Sequence, residues 1–315
     1  MSMQFSALYH LAGFVVAAPL LCKKTHNKMK KIIFITGTST GFGKLMTQTL
    51  SKEGHTVIAA MRGVNGKNQA VAQELAALPG VDVVELNVTS DTSVNEAVAQ
   101  SLAKHGRIDV LVNNAGVTGY GLTEAYTLDQ VKRMFEVNFY GVLRTYNAVL
   151  PSMRANKNGL IINISTGASG FTVPFMVPYM ASKFAMESLT EGFQQELKAY
   201  GIENVSIQSG VYPTEMNNGS KAGFNADKED IIAAYGDGAT NAFNKMGTAL
   251  FGKMAEFKMN PQTIADGVLE LIDKEKGTRP LRFPLDAIAL GADHEFVKSR
   301  AAIKDKWLKN YGFTL

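Results

Sequence analysis

From Lys31 onwards, short and nearly continuous apolar runs alternate with longer stretches of helical spacing. The runs are Lys31–Thr36, Thr56–Ala60, Val81–Leu86, Val110–Asn113, Leu160–Ser165 and Val205–Ser209. Most lack the apolar–polar alternation of a strand with one wet face, which marks strands of a parallel sheet covered on both sides. Between them, Phe42–Glu53, Asn68–Leu78, Ser90–His105, Leu128–Leu150 and Tyr179–Tyr200 carry helical periodicity; Asp91 lies in a first turn, and Pro151 is expected to stop the fourth helix. Strand–helix alternation gives right-handed crossovers and a doubly wound parallel α/β sheet. No fixed-period repeat, low-complexity tract or Pro/Gly/Ser linker divides the chain, so one domain is predicted over 29–285. Residues 217–260 differ. They are rich in Gly, Asn, Lys, Phe and Met, with apolar positions at Phe224, Ile231, Ile232, Tyr235, Phe243, Met246, Leu250, Phe251 and Met254, and predict a helical insert or lid. A further helix is expected from Pro261, capped by Asn260, then a short last strand at Arg282–Phe283 and a C-terminal extension over 286–315.

Composition narrows the class. The chain has 315 residues, 46% apolar and 19% charged, which excludes a disordered chain. A net charge of +4 argues against a dedicated nucleic-acid binder. Cys22 is the only cysteine, so no intramolecular disulfide, Cys-based zinc site or iron–sulfur cluster can form from this chain. The five histidines show neither HxH nor HxxxH spacing, which argues against a metal enzyme. Residues 1–28 form a leader that is mostly apolar from Phe5 to Leu21 and is followed by Lys23, Lys24, Lys28, Lys30 and Lys31. Three readings stand: a start misplaced ahead of Met29, a membrane anchor whose lysines hold the body on the cytoplasmic side, or a signal peptide. The body is expected to be cytoplasmic, with membrane attachment only through the leader.

Three motifs carry chemistry. Gly37, Thr38, Ser39, Thr40, Gly41, Phe42 and Gly43 follow the first strand and open the first helix. Glycines there let the backbone approach a phosphate that faces a helix N-terminus. Asn113, Asn114, Ala115 and Gly116 close the fourth strand, where open α/β sheets bind ligands. Tyr179 and Lys183 are four apart and share a helix face. A phenol titrates near 10, and a neighbouring ammonium favours the phenolate; such a pair also occurs as an ordinary surface pair.

Together and in this order, TGTSTGFG, NNAG and YMASK resemble the short-chain dehydrogenase/reductase family, as do Asn138 in VNFYG, Thr166 in NIST thirteen residues before Tyr179, and Thr214 in SGVYPTEM. The resemblance runs from about 31 to 216, and more loosely to about 285. It implies a Rossmann-type fold and an oxidoreductase. Tyr179 would be the general acid/base, Lys183 would lower its pKa and bind the nicotinamide ribose, Thr166 would polarise the substrate carbonyl, and Asn138 would hold a relay water. The segment Gly37–Gly43, with Asn87, Val88, Asn113, Ala115, Gly116 and Thr214, would surround a nicotinamide cofactor. Three positions depart from the family pattern. Thr166 stands where Ser is usual, with Ser165 beside it as a second hydroxyl; Asn87 stands where Asp is common; and Ser209 replaces a usual Pro.

Cofactor choice rests on the end of the second strand. Met61 holds the place of a ribose-binding acid and Arg62 follows, which suits the 2′-phosphate of NADP(H). Phe171, Val173, Pro174, Phe175, Met176 and Val177, with Met216 and Phe224, predict an apolar pocket for a small apolar ketone, aldehyde or alcohol. The family resemblance implies a homodimer or homotetramer, with contacts near 128–150 and 179–200. A second reading is a non-catalytic NADP-binding regulator on the same fold; the intact Tyr179/Lys183 pair separates the two.

Overall fold

A computed structural model describes residues 29–216 and 224–313, so the readings of the leader 1–28 lie outside the described residues. Seven parallel strands form one sheet in the order β3-β2-β1-β4-β5-β6-β7: β1 Ile32–Thr36, β2 Thr56–Met61, β3 Val81–Glu85, β4 Val110–Asn113, β5 Gly159–Thr166, β6 Ile202–Ser209 and β7 Arg282–Leu285. Successive strand residues feed opposite cores. Ile33, Ile35, Val110, Val112, Leu160 and Ile162 enter one layer, against Ile264, Val268 and Leu271. Phe34, Ile58, Leu111 and Ile161 enter the other, against Val98, Val149 and Met186. Both faces are covered, which is why the strands read as unbroken apolar runs.

The helices are α1 Gly41–Lys52, α2 Gln69–Ala76, α3 Asp91–His105, α4 Leu128–Phe135, α5 Gly141–Ala155, α6 Val177–Glu196, α7 Glu229–Glu256, α8 Gln262–Asp273 and α9 Ala292–Asn310. Ser90 caps α3, accepting from the Ser93 N–H at 3.2 Å. Three expectations need correction. The predicted helix over Leu128–Leu150 is two helices joined by a π-helical turn at Glu136–Tyr140. Pro151 does not end it: α5 runs through Pro151 to Ala155, because Val149, Leu150 and Met153 stay packed in the core while Pro151 itself faces solvent. The helix expected from Pro261 begins one residue later, with the Asn260 Oδ1 accepting from the Gln262 N–H at 3.0 Å. Within the predicted insert, α7 is bent at Gly236, whose φ is +69°. The C-terminal extension, left without an element by its pattern, carries α9.

A buried polar network ties the central strands to two helices. Asn163 of β5 faces Asn113 of β4 in register and accepts from its Nδ2 at 2.9 Å. The Asn163 Nδ2 donates to Tyr146 and Thr190 at 2.7 and 2.9 Å, and the Tyr146 hydroxyl donates to Asn204 at 2.6 Å. Every member is buried and partnered, as burial of polar groups requires.

Candidate active site

The strand order reverses direction between β1 and β4, and the C-terminal ends of these strands and of β5 open a crevice there. The turn after β1 is held close to the β4 end. The Thr36 Oγ1 accepts from the Asn114 and Ala115 N–H groups, both at 3.0 Å. The Asn114 Nδ2 donates to the Thr36 and Gly37 carbonyls at 2.9 and 3.0 Å. A Cβ on Gly37 would lie 2.8 Å from the Ala115 Cα, and one on Gly43 would lie 2.2 Å from the Gly37 carbonyl oxygen. Only glycine fits at either place. Thr40 occupies the cap position of α1 without a side-chain cap, so the N–H groups of the first turn face the crevice without that partner. Thr38 is buried, its hydroxyl donating to the Ala60 carbonyl at 3.3 Å. Thr214 comes alongside: its side chain would be 3.6 Å from a Cβ on Gly41. A glycine cradle at an uncapped helix N-terminus fits a dinucleotide pyrophosphate.

The catalytic candidates converge from separate elements. Helix α6 carries Tyr179, Ser182 and Lys183 on one buried face. The π-helical turn delivers Asn138, which is wholly buried: its Nδ2 donates to the Val117 carbonyl and the Ser182 Oγ, and its Oδ1 accepts from the Val117 N–H, all at 2.9 Å. Such turns recur at functional sites. A Cβ on Gly116 would sit 3.3 Å from the Asn138 Oδ1 and 3.8 Å from the Lys183 Nζ, so Gly116, Asn138 and Lys183 meet. The Lys183 Nζ donates to the Ile164 carbonyl at 2.8 Å. Burial lowers the Lys183 pKa to about 8, while Glu187, one turn along α6, acts to raise it.

Tyr179 corrects a sequence expectation. Its phenol is pushed above the ordinary tyrosine range by burial, with Tyr120 adding to the shift. The ammonium does not reverse this, because Lys183 is itself desolvated and turned to the Ile164 carbonyl. Thr166 ends β5 half-buried. Ser165 is buried beside it, and among the described residues its hydroxyl has no hydrogen-bond partner. Both hydroxyls therefore remain candidates for the substrate oxygen.

At the far end of the crevice, Arg62 is exposed after β2. Its loop is pinned: the Asn68 Nδ2 donates to the Arg62 carbonyl at 2.6 Å, and the Glu85 carboxylate accepts from the Gly63 and Val64 N–H groups, both at 2.8 Å. The Lys67 stem folds over Gly63. Asn87 uses its Oδ1 internally, accepting from the Thr89 N–H and hydroxyl at 3.2 and 3.0 Å, and Val88 packs on Gly141. Asn113 lies within the buried network and supports the sheet from there.

Around Tyr179, an apolar cluster gathers Tyr126, Met134, Met180, Val173, Met176 and Phe224. Phe175, at a φ of +64°, packs edge-on against Phe243 of α7 at 5.5 Å, so the insert leans on the loop before Tyr179. Phe171 and Pro174 point to solvent instead. The sequence motifs contain Asn114, in NNAG, and Ser182, in YMASK, without giving either a role, and sequence reasoning missed Glu85. Among the described residues no cluster of metal ligands occurs, and no helix is long and apolar enough to cross a membrane.

Comparison with known proteins agrees with this geometry. The family model for short chain dehydrogenase matches residues 31–224. The chain is 37% identical over 184 residues to a 3-ketodihydrosphingosine reductase of Bacteroides thetaiotaomicron; the match covers 58% of this chain and 65% of that protein, just under two thirds of its length. The fold is similar to a short-chain dehydrogenase from Streptomyces avermitilis, with a TM-score of 0.72, 27% identity, and coverage of 91% of this chain and 99% of that one. It is also similar to an alcohol dehydrogenase from Thermococcus sibiricus complexed with 5-hydroxy-NADP, with a TM-score of 0.64, 26% identity, and coverage of 81% and 96%. The chain belongs to the short-chain dehydrogenase/reductase family, a group of Rossmann-type oxidoreductases.

Proposed function

We propose that this protein is an NADP(H)-dependent oxidoreductase that interconverts an apolar ketone or aldehyde with the corresponding alcohol. The observation that carries the reading is the convergence of Tyr179, Lys183 and Asn138 beside a glycine cradle. Gly37, Thr38, Ser39, Thr40, Gly41, Phe42 and Gly43 would hold the pyrophosphate end of the cofactor, Ala115, Gly116, Asn87 and Val88 its flanks, and Thr214 its nicotinamide end. Arg62 would take the 2′-phosphate through a charge-assisted contact. The nicotinamide, when bound, supplies or accepts a hydride.

The chain's own residues manage the proton. With its pKa raised, Tyr179 is protonated at neutral pH, the form that donates to a carbonyl oxygen being reduced. Thr166, or Ser165 beside it, would donate a hydrogen bond to the same oxygen and hold it in place. Lys183, as an ammonium, would stabilise the phenolate left when Tyr179 gives up its proton, until solvent returns one, and Asn138 orders the backbone around it by clasping Val117. The Met176, Met180, Phe224 and Val173 side chains exclude water and favour an apolar substrate. The similarity to a reductase of a long-chain ketone supports that class.

Initial rates with NADPH and with NADH, over a panel of apolar ketones, aldehydes and quinones, test this. Turnover with NADPH well above that with NADH is expected. Binding of neither nucleotide would overturn the cofactor assignment.

A further inference from the structure

Beneath Lys183 the core holds charges that the proposed reaction does not use. Glu187 follows Lys183 by four residues, so the two are neighbours on the buried face of α6. Each is tied to a strand. The Lys183 Nζ donates to the Ile164 carbonyl of β5 at 2.8 Å, and the Glu187 Oε1 accepts from the Ser206 hydroxyl of β6. The two strands pair Asn163 with Ser206 and Ile164 with Ile207, so the anchors lie one strand and one residue apart. The other Glu187 oxygen accepts from the Arg282 Nε of β7 at 3.0 Å. The Arg282 Nη2 donates to Glu191, one turn further along α6. Glu191 in turn pairs with Arg300 and Lys304 of α9 at 3.4 and 3.0 Å. Glu187 is 1% exposed and Arg282 6%, so this ion pair lies wholly inside the protein.

Stability does not account for such a cluster. Taking charges out of water can cost more than their pairing returns, and an apolar core of the same volume would pack as well. Its position gives it a use. Around Lys183, α6 supplies Tyr179 and Glu187, β5 a carbonyl, and the π-helical turn the Asn138 side chain. Glu187 is the one carboxylate among these groups, and its charge favours the ammonium against burial. Glu187 itself is faced by Ser206 of β6, Arg282 of β7 and Tyr146 of α5. A buried carboxylate without a cation takes up a proton; the guanidinium bonded to Glu187 opposes that. We propose that Arg282 is a positioning residue for the active site: it holds the Glu187 carboxylate ionised and in place one turn from Lys183, while Glu191, itself held by α9, fixes the far side of the guanidinium. The role rests on the reductase reading, in which Lys183 as an ammonium supports the phenolate of Tyr179.

Lys183 can be titrated without turnover. Full-length protein carrying ¹³C-labelled lysine is followed by NMR across the range in which buried and ordinary lysines lose their protons. The Lys183 Cε resonance is assigned by its loss in Lys183→Arg. Arg282→Met should lower the Lys183 midpoint by roughly one pH unit or more, because Glu187 then holds a proton. Arg282→Lys, which keeps the cation, should stay closer to the unaltered chain. In Glu187→Gln the midpoint is already low, and adding Arg282→Met should move it no further. If Arg282→Met does not fold, Arg282→Gln takes its place in both backgrounds. An unmoved or raised midpoint without Arg282 would overturn the proposal. So would an equal shift with and without Glu187, which would show an ion pair that only packs. The alkaline limb of kcat, measured on the same variants, tests the reductase reading separately. A midpoint that moves without the limb would leave the hold of Arg282 on Lys183 standing and take Lys183 out of the reaction.

Discussion

Lys183 is expected to set the pH dependence of the proposed reaction. Its ammonium titrates near 8 because it is buried, and the charge of Glu187 opposes that fall. Glu187 is buried too, accepting from the Ser206 hydroxyl and from the Arg282 Nε at 3.0 Å. As pH rises through about 8, Lys183 loses its proton and its support for Tyr179, so kcat should fall on that limb. Glu187→Gln removes the charge that keeps Lys183 protonated and should move the limb to lower pH, measured as a kcat–pH profile; an unmoved limb would show that Glu187 only packs. Folding follows the same linkage. The unfolded chain binds more protons than the native one between about 8 and the ordinary lysine value of 10.5, so the Lys183 contribution to stability rises with pH across that window. Arg62 carries the second prediction at this scale: Arg62→Glu should weaken NADPH binding relative to NADH by roughly 10- to 100-fold, read by calorimetry with both nucleotides. The Tyr179/Lys183 pair and the Gly37–Gly43 turn stand out in the sequence because each is spaced within one turn or loop. The contacts of Asn114 and Glu85 were not legible, because each acts across the sheet: Asn114 reaches the Thr36 and Gly37 carbonyls, and Glu85 the loop after β2.

At the scale of elements, the parallel strands were readable because two buried faces leave a continuous apolar run. The π-helical turn at Glu136–Tyr140 was not, since a one-residue change of helical pitch leaves no compositional mark, and Pro151 misled because its cost is met by core packing on either side of it. Helix α9 escaped for the opposite reason: its aromatic edge is exposed, so it lacks the core-facing stripe that identifies a packed helix. The Asn113–Asn163–Tyr146–Asn204 network joins β4, β5, β6 and α5, and no local pattern reveals it. Asn163→Leu would strand several buried partners, at about 1–3 kcal/mol for each group left unpaired. Urea denaturation should show a clear fall in midpoint with the m-value unchanged. Gly43→Ala belongs here as well. Its methyl would enter the Gly37 carbonyl 2.2 Å away, so the β1–α1 turn must open and nucleotide affinity should drop, as measured by calorimetry against Asn163→Leu, which leaves the turn intact.

In the molecule as a whole, the sheet reversal between β1 and β4 explains why distant segments share one site. It places the turn after β1 against the β4 end, with β5 and α6 alongside. The segment from Phe224 crosses back over them, its N–H bonded to the Thr118 carbonyl at 2.9 Å, and closes the apolar side above Tyr179. The cofactor end is therefore built by the sheet, and the substrate end by loops and the insert. That division is why the sequence points to a reaction type more sharply than to a substrate. The central claim is that Tyr179 moves the proton in an NADPH-linked reduction. The most direct test compares the full-length protein with Tyr179→Phe, measuring NADPH affinity and the rate of NADPH oxidation with an apolar ketone in the same samples. The account predicts near-equal affinity and a rate lower by roughly 10²- to 10⁴-fold in the variant; equal rates, or no turnover by either protein despite tight NADPH binding, would contradict it.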